Sequence, residues 1–151
     1  MEKREIHLIQ LNETISQLFE IYKNMENHEI AVYEEWTARD ILGHLVFWHE
    51  SFARNVHDIV NDIKPTVLSG KYRDLNQRCL EEMRPRTVEE ITRRLEDAHR
   101  VIQENILDPN LVLIPYKKGS RDYTPEEHLD IVNAHIKDHL SSIRKALKDV
   151  H

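Results

Sequence analysis

Three glycines in 151 residues leave no room for a glycine-rich phosphate loop. No G-x-S-x-G elbow is present, which removes the serine-hydrolase signature. The single cysteine, Cys79, cannot form an internal disulfide, so no oxidising compartment is implied. Cys79 reads as a small buried apolar group, since nothing around it marks a stabilised thiolate. Basic charge is also short, with 21 Lys and Arg against 27 Asp and Glu and a net charge of −6. That excludes nucleic acid as a main partner and an anionic membrane surface, because both need a basic face. No apolar run approaches the ~20 residues of a membrane span. The opening MEKREIHLIQ is charged at once and has no signal-peptide core, so a cytoplasmic protein is expected.

What is present favours helices. Glu, Lys, Arg, Leu and Ile are abundant, and hydrophobic residues make up 40%. The length suits a single domain over residues 1–151. Ile6, Ile9, Ile15, Leu18, Phe19 and Tyr22 have helical spacing and predict a first long helix ending between Asn24 and His28. A second opens at Thr37, with Asp40 as a capping-box partner and Trp36 and Ile41 as a hydrophobic staple. Its stripe is Ile41, Leu45, Trp48, Phe52, Val56 and Ile59, and it stops near Asp62 before KPT. Residues 63–86 lack a sustained period, apart from a short helix over DLNQRCLEEM. Thr87 with Glu90 starts a third long helix that ends at DPN, 108–110. Residues 111–123 suggest a short hairpin. Thr124, Pro125 and Glu127 then open a fourth long helix with Leu129, Val132, Ile136, Leu140, Ile143 and Leu147 on its apolar side. Four long helices read as an all-α four-helix bundle. The link of about 24 residues between the second and third can return along the bundle, which lets those two run parallel.

Histidine, with ten copies, is the outlier of the composition. His135 and His139 stand four apart in HIKDH, about 40° apart on the helical wheel. Two imidazoles at this spacing can share an ion, but a site needs a third ligand. The metalloprotease motif H-E-x-x-H is excluded because the residue after His135 is Ile136. A di-iron bundle is excluded too, because Glu96–His99 is the one Glu-x-x-His pair. The second helix offers His44, His49 and His57. His44 and His49 lie about 140° apart and so do not serve one ion together, and the wheel leaves the choice open. If the second and fourth helices are antiparallel with flush ends, His44 comes near the level of His135 and His139, with His49 about 7 Å further along. His128, in a first turn, reads as solvated, and Trp48 reads as core. His7, His28, His57, His99 and His151 show no partner. Glu50 and Asp138 read as solvent-facing.

EEWTARDILGHLVFWHE and HLDIVNAHIKDHLSSI together resemble the DinB-like superfamily, which includes bacillithiol transferases and mycothiol-dependent maleylpyruvate isomerases. The resemblance lies in W-[ST]-x-x-[DEQ]-x-x-x-H-L, here Trp36 to Leu45, and in the later H-x-x-x-H. It implies an up-down-down-up bundle with a long crossover, and a three-histidine metal site formed by His44, His135 and His139. Members of the group are often dimers, so a homodimer is among the assemblies implied. Relatives often carry further histidines where this chain has Lys137 and Asp138.

Three imidazoles leave a divalent ion open positions, which suits catalysis. Zinc, nickel and iron all accept such a set. The expected activity is a thiol-dependent S-transferase using a low-molecular-weight thiol, or a hydrolase, acting on a small-molecule substrate. The alternative is a stress-response or binding bundle with a structural or vestigial metal. The link 63–86 is the expected rim or lid of the pocket.

Overall fold

A computed structural model describes residues 2–150; His151 lies outside the described residues. Among them are five helices and no strand: α1 (Lys3–Asn24), α2 (Ala38–Val60), α3 (Tyr72–Met83), α4 (Val88–Asn105) and α5 (Pro125–Asp149). The four long helices stand where the periodicity places them, and α3 is the short helix within the crossover.

Three starts are fixed by reciprocal capping. Asp40, Glu90 and Glu127 each donate a backbone N–H to the hydroxyl three residues earlier, on Thr37, Thr87 and Thr124. Their carboxylates accept the cap residue's own N–H in return. Such a cap contributes about 1 kcal/mol. Asp40 does a second job. Burial pulls its pKa up, but the Arg84 guanidinium at 3.2 Å and the Thr37 N–H outweigh that and hold it below the ordinary carboxylate value. The pair ties the start of α2 to the end of α3.

The helix directions follow from which residues meet. Along α2 and α4, Arg39 reaches the carbonyl of Arg86, Glu50 pairs with Arg94, and His57 shares a groove with Val101, so these helices are parallel. Along α1 and α5, Arg4 pairs with Glu126 and Thr14 bonds Asn133, which is parallel again. His44 meets His139 and Phe52 meets His128, so α2 and α5 are antiparallel. Asn12 bonds His99 while Arg4 reaches the Ile106 carbonyl, so α1 and α4 are antiparallel as well. The bundle is therefore up-down-down-up, with the crossover packed on α2.

Two stripes differ from the pattern read in the sequence. Ile6 and Ile9 are 41% and 50% exposed, because the buried face of α1 is Leu8, Leu11, Ile15, Leu18 and Tyr22. The helix has one inward side, and the 8-11-15-18-22 spacing follows it more closely. By contrast α2 is buried on most of its circumference, down to Leu42, Gly43, Val46 and Phe47, because α3, α4 and α5 all pack on it.

Gly43 is where α3 comes closest. A Cβ there would lie 2.8 Å from the Met83 Cβ, an atom that a rotamer change cannot move. Gly43→Ala should gain up to about 1 kcal/mol in helix propensity and lose about 1–3 kcal/mol to overpacking. A net destabilisation in urea unfolding is expected, and Met83→Ala, which keeps the crowded Cβ, should not relieve it.

Candidate metal centre

The capping box at Thr37 sets the rotation of α2, and with it the side from which His44 leaves. The Pro125 start does the same for His135 and His139 on α5. Because α2 and α5 are antiparallel, the three rings meet. The Nε2 of His135 lies 3.3 Å from that of His44 and 3.0 Å from that of His139. One ring nitrogen from each of the three falls within 4.8 Å of the others. Three imidazole nitrogens gathered at one point cannot all satisfy each other with the few protons they carry. A tetrahedral ion with M–N bonds of about 2.0–2.1 Å needs ligand nitrogens about 3.3 Å apart, close to the separations seen.

Burial lowers the pKa of all three rings. His44 falls to about 3, through desolvation first and then its neighbours His135 and His139, while the Asn76 carboxamide opposes the shift. His139 falls to about 4, again through desolvation and then His135, against a small opposing effect of Asp138. His135 is lowered chiefly by desolvation. Neutral imidazoles at pH 7 are what a metal ligand set requires.

Other residues hold these rings. The Tyr33 hydroxyl lies 2.9 Å from His139 Nδ1. In the tautomer where Nδ1 carries the proton, His139 donates to Tyr33 and turns its Nε2 lone pair inward. Trp36 packs against His44 with ring centroids 4.8 Å apart. His44 Nδ1 and Asn76 Oδ1 are both buried without a hydrogen-bond partner among the described residues. Next to the histidines is a cavity of about 370 Å³, lined further by Trp36, Trp48, Tyr72, Asn76 and Tyr116. Tyr72 and Asn76 belong to α3, so the crossover 63–86 does supply part of the rim. The loop carrying Tyr116 is closed by a single antiparallel bridge between Ile114 and Tyr123, in place of the short hairpin expected there.

Several residues stand elsewhere than their sequence context suggests. Trp48 is not core. It is half-buried on the cavity wall, stacked on Tyr116 at 5.4 Å, because the stripe of α2 turns outward where the crossover leaves an opening. His128 is 2% exposed rather than solvated, because its ring stacks on Phe52 at 4.1 Å beneath Tyr116 and Tyr123. Glu50 is ion-paired with Arg94 at 2.6 Å in a half-buried setting, whereas Asp138 does face solvent. His28 bonds the Tyr22 carbonyl, and His99 has two partners. His99 donates from Nε2 to Asn12 Oδ1 at 2.7 Å, so its Nδ1 accepts from His49 Nε2 at 3.0 Å. His49 is thus bound into a separate interior cluster, away from His44. Cys79 is buried, bonds the Gly43 carbonyl, and has its pKa pushed up to about 12 by burial. Tyr33, Tyr72, Asn76 and Tyr116 had no helical period to mark them. For the three tyrosines the one signal is that aromatic side chains recur in otherwise polar links, and Asn76 had none.

This all-helical up-down-down-up bundle has the fold of known structures. The solved structures with this fold include the mycothiol-dependent maleylpyruvate isomerase and a histidine-to-alanine mutant of it, with TM-scores of 0.74 and 0.72. Each is 11% identical and matches 92% of this chain, which spans 60% of their length. At that identity the likeness is one of fold. No protein-family model matches the sequence, and no curated protein does. Among the described residues, no helix is long and apolar enough to cross a membrane.

Proposed function

We propose that His44, His135 and His139 hold one divalent metal ion (zinc, nickel or iron) and that the protein is a metal-dependent enzyme acting on small molecules. The observation that carries this reading is the convergence of three neutral imidazoles beside a 370 Å³ cavity. Three protein ligands leave positions open for a reactant. When bound, the ion supplies Lewis acidity and lowers the pKa of a thiol or water that reaches it. The chain's own groups do the positioning. Tyr33 fixes the tautomer and tilt of His139, Asn76 faces His44, and Trp36 shields the His44 ring from water. Among the described residues that line the cavity there is no carboxylate.

The first reading is a thiol-dependent S-transferase with a low-molecular-weight thiol as second cofactor. It is supported by the fold shared with a mycothiol-dependent enzyme. The second is a hydrolase, favoured by the all-imidazole set, which activates water near neutral pH in other enzymes. The test is to measure metal in the purified chain, then to screen thiol conjugation and ester and amide hydrolysis with and without chelator. Metal without turnover in any class would favour the binding-protein alternative. Sedimentation at micromolar concentration tests the homodimer.

The supporting groups have their own expected effect. Tyr33→Phe and Asn76→Ala should each weaken zinc binding by about tenfold, the scale of lost outer partners of ligating histidines. Competition against a chromogenic chelator reads this out, with circular dichroism confirming unchanged helicity. Affinity equal to that of the parent would show that neither residue orients its histidine.

A further inference from the structure

Beyond the histidines, the cavity wall among the described residues is Trp36, Trp48, Tyr72, Tyr116 and Asn76, with no Asp, Glu, Lys or Arg. The rings form a continuous surface. Trp48 stacks on Tyr116 with planes 11° apart and meets Tyr72 at 5.7 Å. Lys117, next to Tyr116 in sequence, is already committed. Its ammonium lies 5.0 Å from the Tyr72 ring centroid and donates to the Gly70 carbonyl at 2.8 Å. That contact also fastens the Tyr116 loop to the crossover. A charged substituent held against these rings, away from the histidines, would lose water and meet no oppositely charged side chain in the wall. A cation would in addition be repelled by the ion held at the histidines, while the aromatic wall offers edge and face contacts to another ring.

We propose that the group carried beside the metal-reaching atom of the substrate is an uncharged aromatic or conjugated ring, selected by Trp48 and Tyr116. This rests on the metal reading, and the test separates the two. The chain's two tryptophans, Trp36 and Trp48, both line the cavity, so intrinsic fluorescence reports a ligand that enters it. Three hydroxamates share one zinc-binding head and differ in tail: phenyl, cyclohexyl and a carboxylate-ended chain. Titrated into the zinc-loaded full chain, the phenyl compound should bind about tenfold more tightly than the carboxylate-tailed one. It should bind about threefold more tightly than the cyclohexyl one. Tyr116→Leu and Trp48→Leu should each erase most of the phenyl preference while retaining zinc and the affinity for acetohydroxamate. Trp36 remains as reporter in the second variant.

Equal affinity for phenyl and carboxylate tails, or a preference that survives both variants, overturns the inference. Zinc content is measured in the same samples, and its absence overturns the metal reading instead. In that event benzamide, cyclohexanecarboxamide and succinamate, titrated into the metal-free chain, decide the wall on their own. Benzamide binding best supports the inference, and succinamate binding equally well refutes it.

Discussion

His44→Ala and His139→Ala should each lower zinc affinity by at least about 100-fold, leaving little metal on the chain after dialysis. Either change removes one of three nitrogens gathered within 4.8 Å. Losing His44 leaves only the pair four residues apart on α5. Losing His139 leaves two rings on different helices and frees Tyr33 from its partner. His49→Ala is the matched control. It removes an imidazole from the same helix, but one bonded to His99 rather than turned to the cluster. That variant should keep one zinc per folded chain. Unchanged stoichiometry in His44→Ala would refute the proposed ligand set, whatever the activity screens return.

The second large effect is acid lability. Burial lowers the pKa of His49 to about 3, and those of His99 and His128 to about 4. His49 is also disfavoured as a cation by its neighbours His99 and His128. An unfolded histidine titrates near 6.5. Between 6.5 and the lowered values the unfolded chain binds protons that the folded chain refuses. Stability is therefore full above pH 6.5 and is lost as the pH falls towards 4. The slope approaches about 1.4 kcal/mol per pH unit for each such histidine. Three of them over two pH units reach the order of a whole domain's stability, about 5–15 kcal/mol, and in the metal-free chain His44, His135 and His139, also lowered by burial, add in the same direction. The carboxylates with lowered pKa, Asp40, Glu126 and Glu127, act only below about pH 4.5, so the range from about 6.5 to 4.5 belongs to the histidines. Urea unfolding of the metal-free chain from pH 7 to 4.5 measures this. His128→Phe, which keeps a ring on Phe52, should flatten the slope by about one histidine's share. Stability that stays level from pH 7 to 5 would contradict the burial of these rings.

Much of this architecture could be read before folding was considered. Thr37, Thr87 and Thr124 each announce a helix through a contact three residues away, and local signals of that kind survive in a bare sequence. The parallel run of α2 and α4 was allowed by the length of the link, and the direction of each pair was settled by long-range contacts such as Glu50 with Arg94. The metal candidates divided in the same way. His135 and His139 declare each other through their spacing. The preference for His44 over His49 came from resemblance, because a helical wheel does not say which side of α2 faces α5. His128 and Trp48 were misjudged for one reason. Burial at a helix start or on a cavity wall is decided by the loop folded over it, here the one carrying Tyr116. Ile6 and Ile9 show the opposite error, in which apolar residues at helical spacing lie on the outer side of α1.

His44 and His135 touch although they stand 91 positions apart in the chain. An extended polypeptide offers a cation only the neighbouring pair on α5, a far weaker grip than three converging nitrogens. The hydrophobic interior, from Leu11 on α1 to Ile143 on α5, is built without any of the three ligands. On the proposed ligand set, metallation comes after tertiary assembly, because the third nitrogen reaches the pair on α5 only in the folded chain. Removing the metal and exchanging it for another then become reversible operations on a folded molecule.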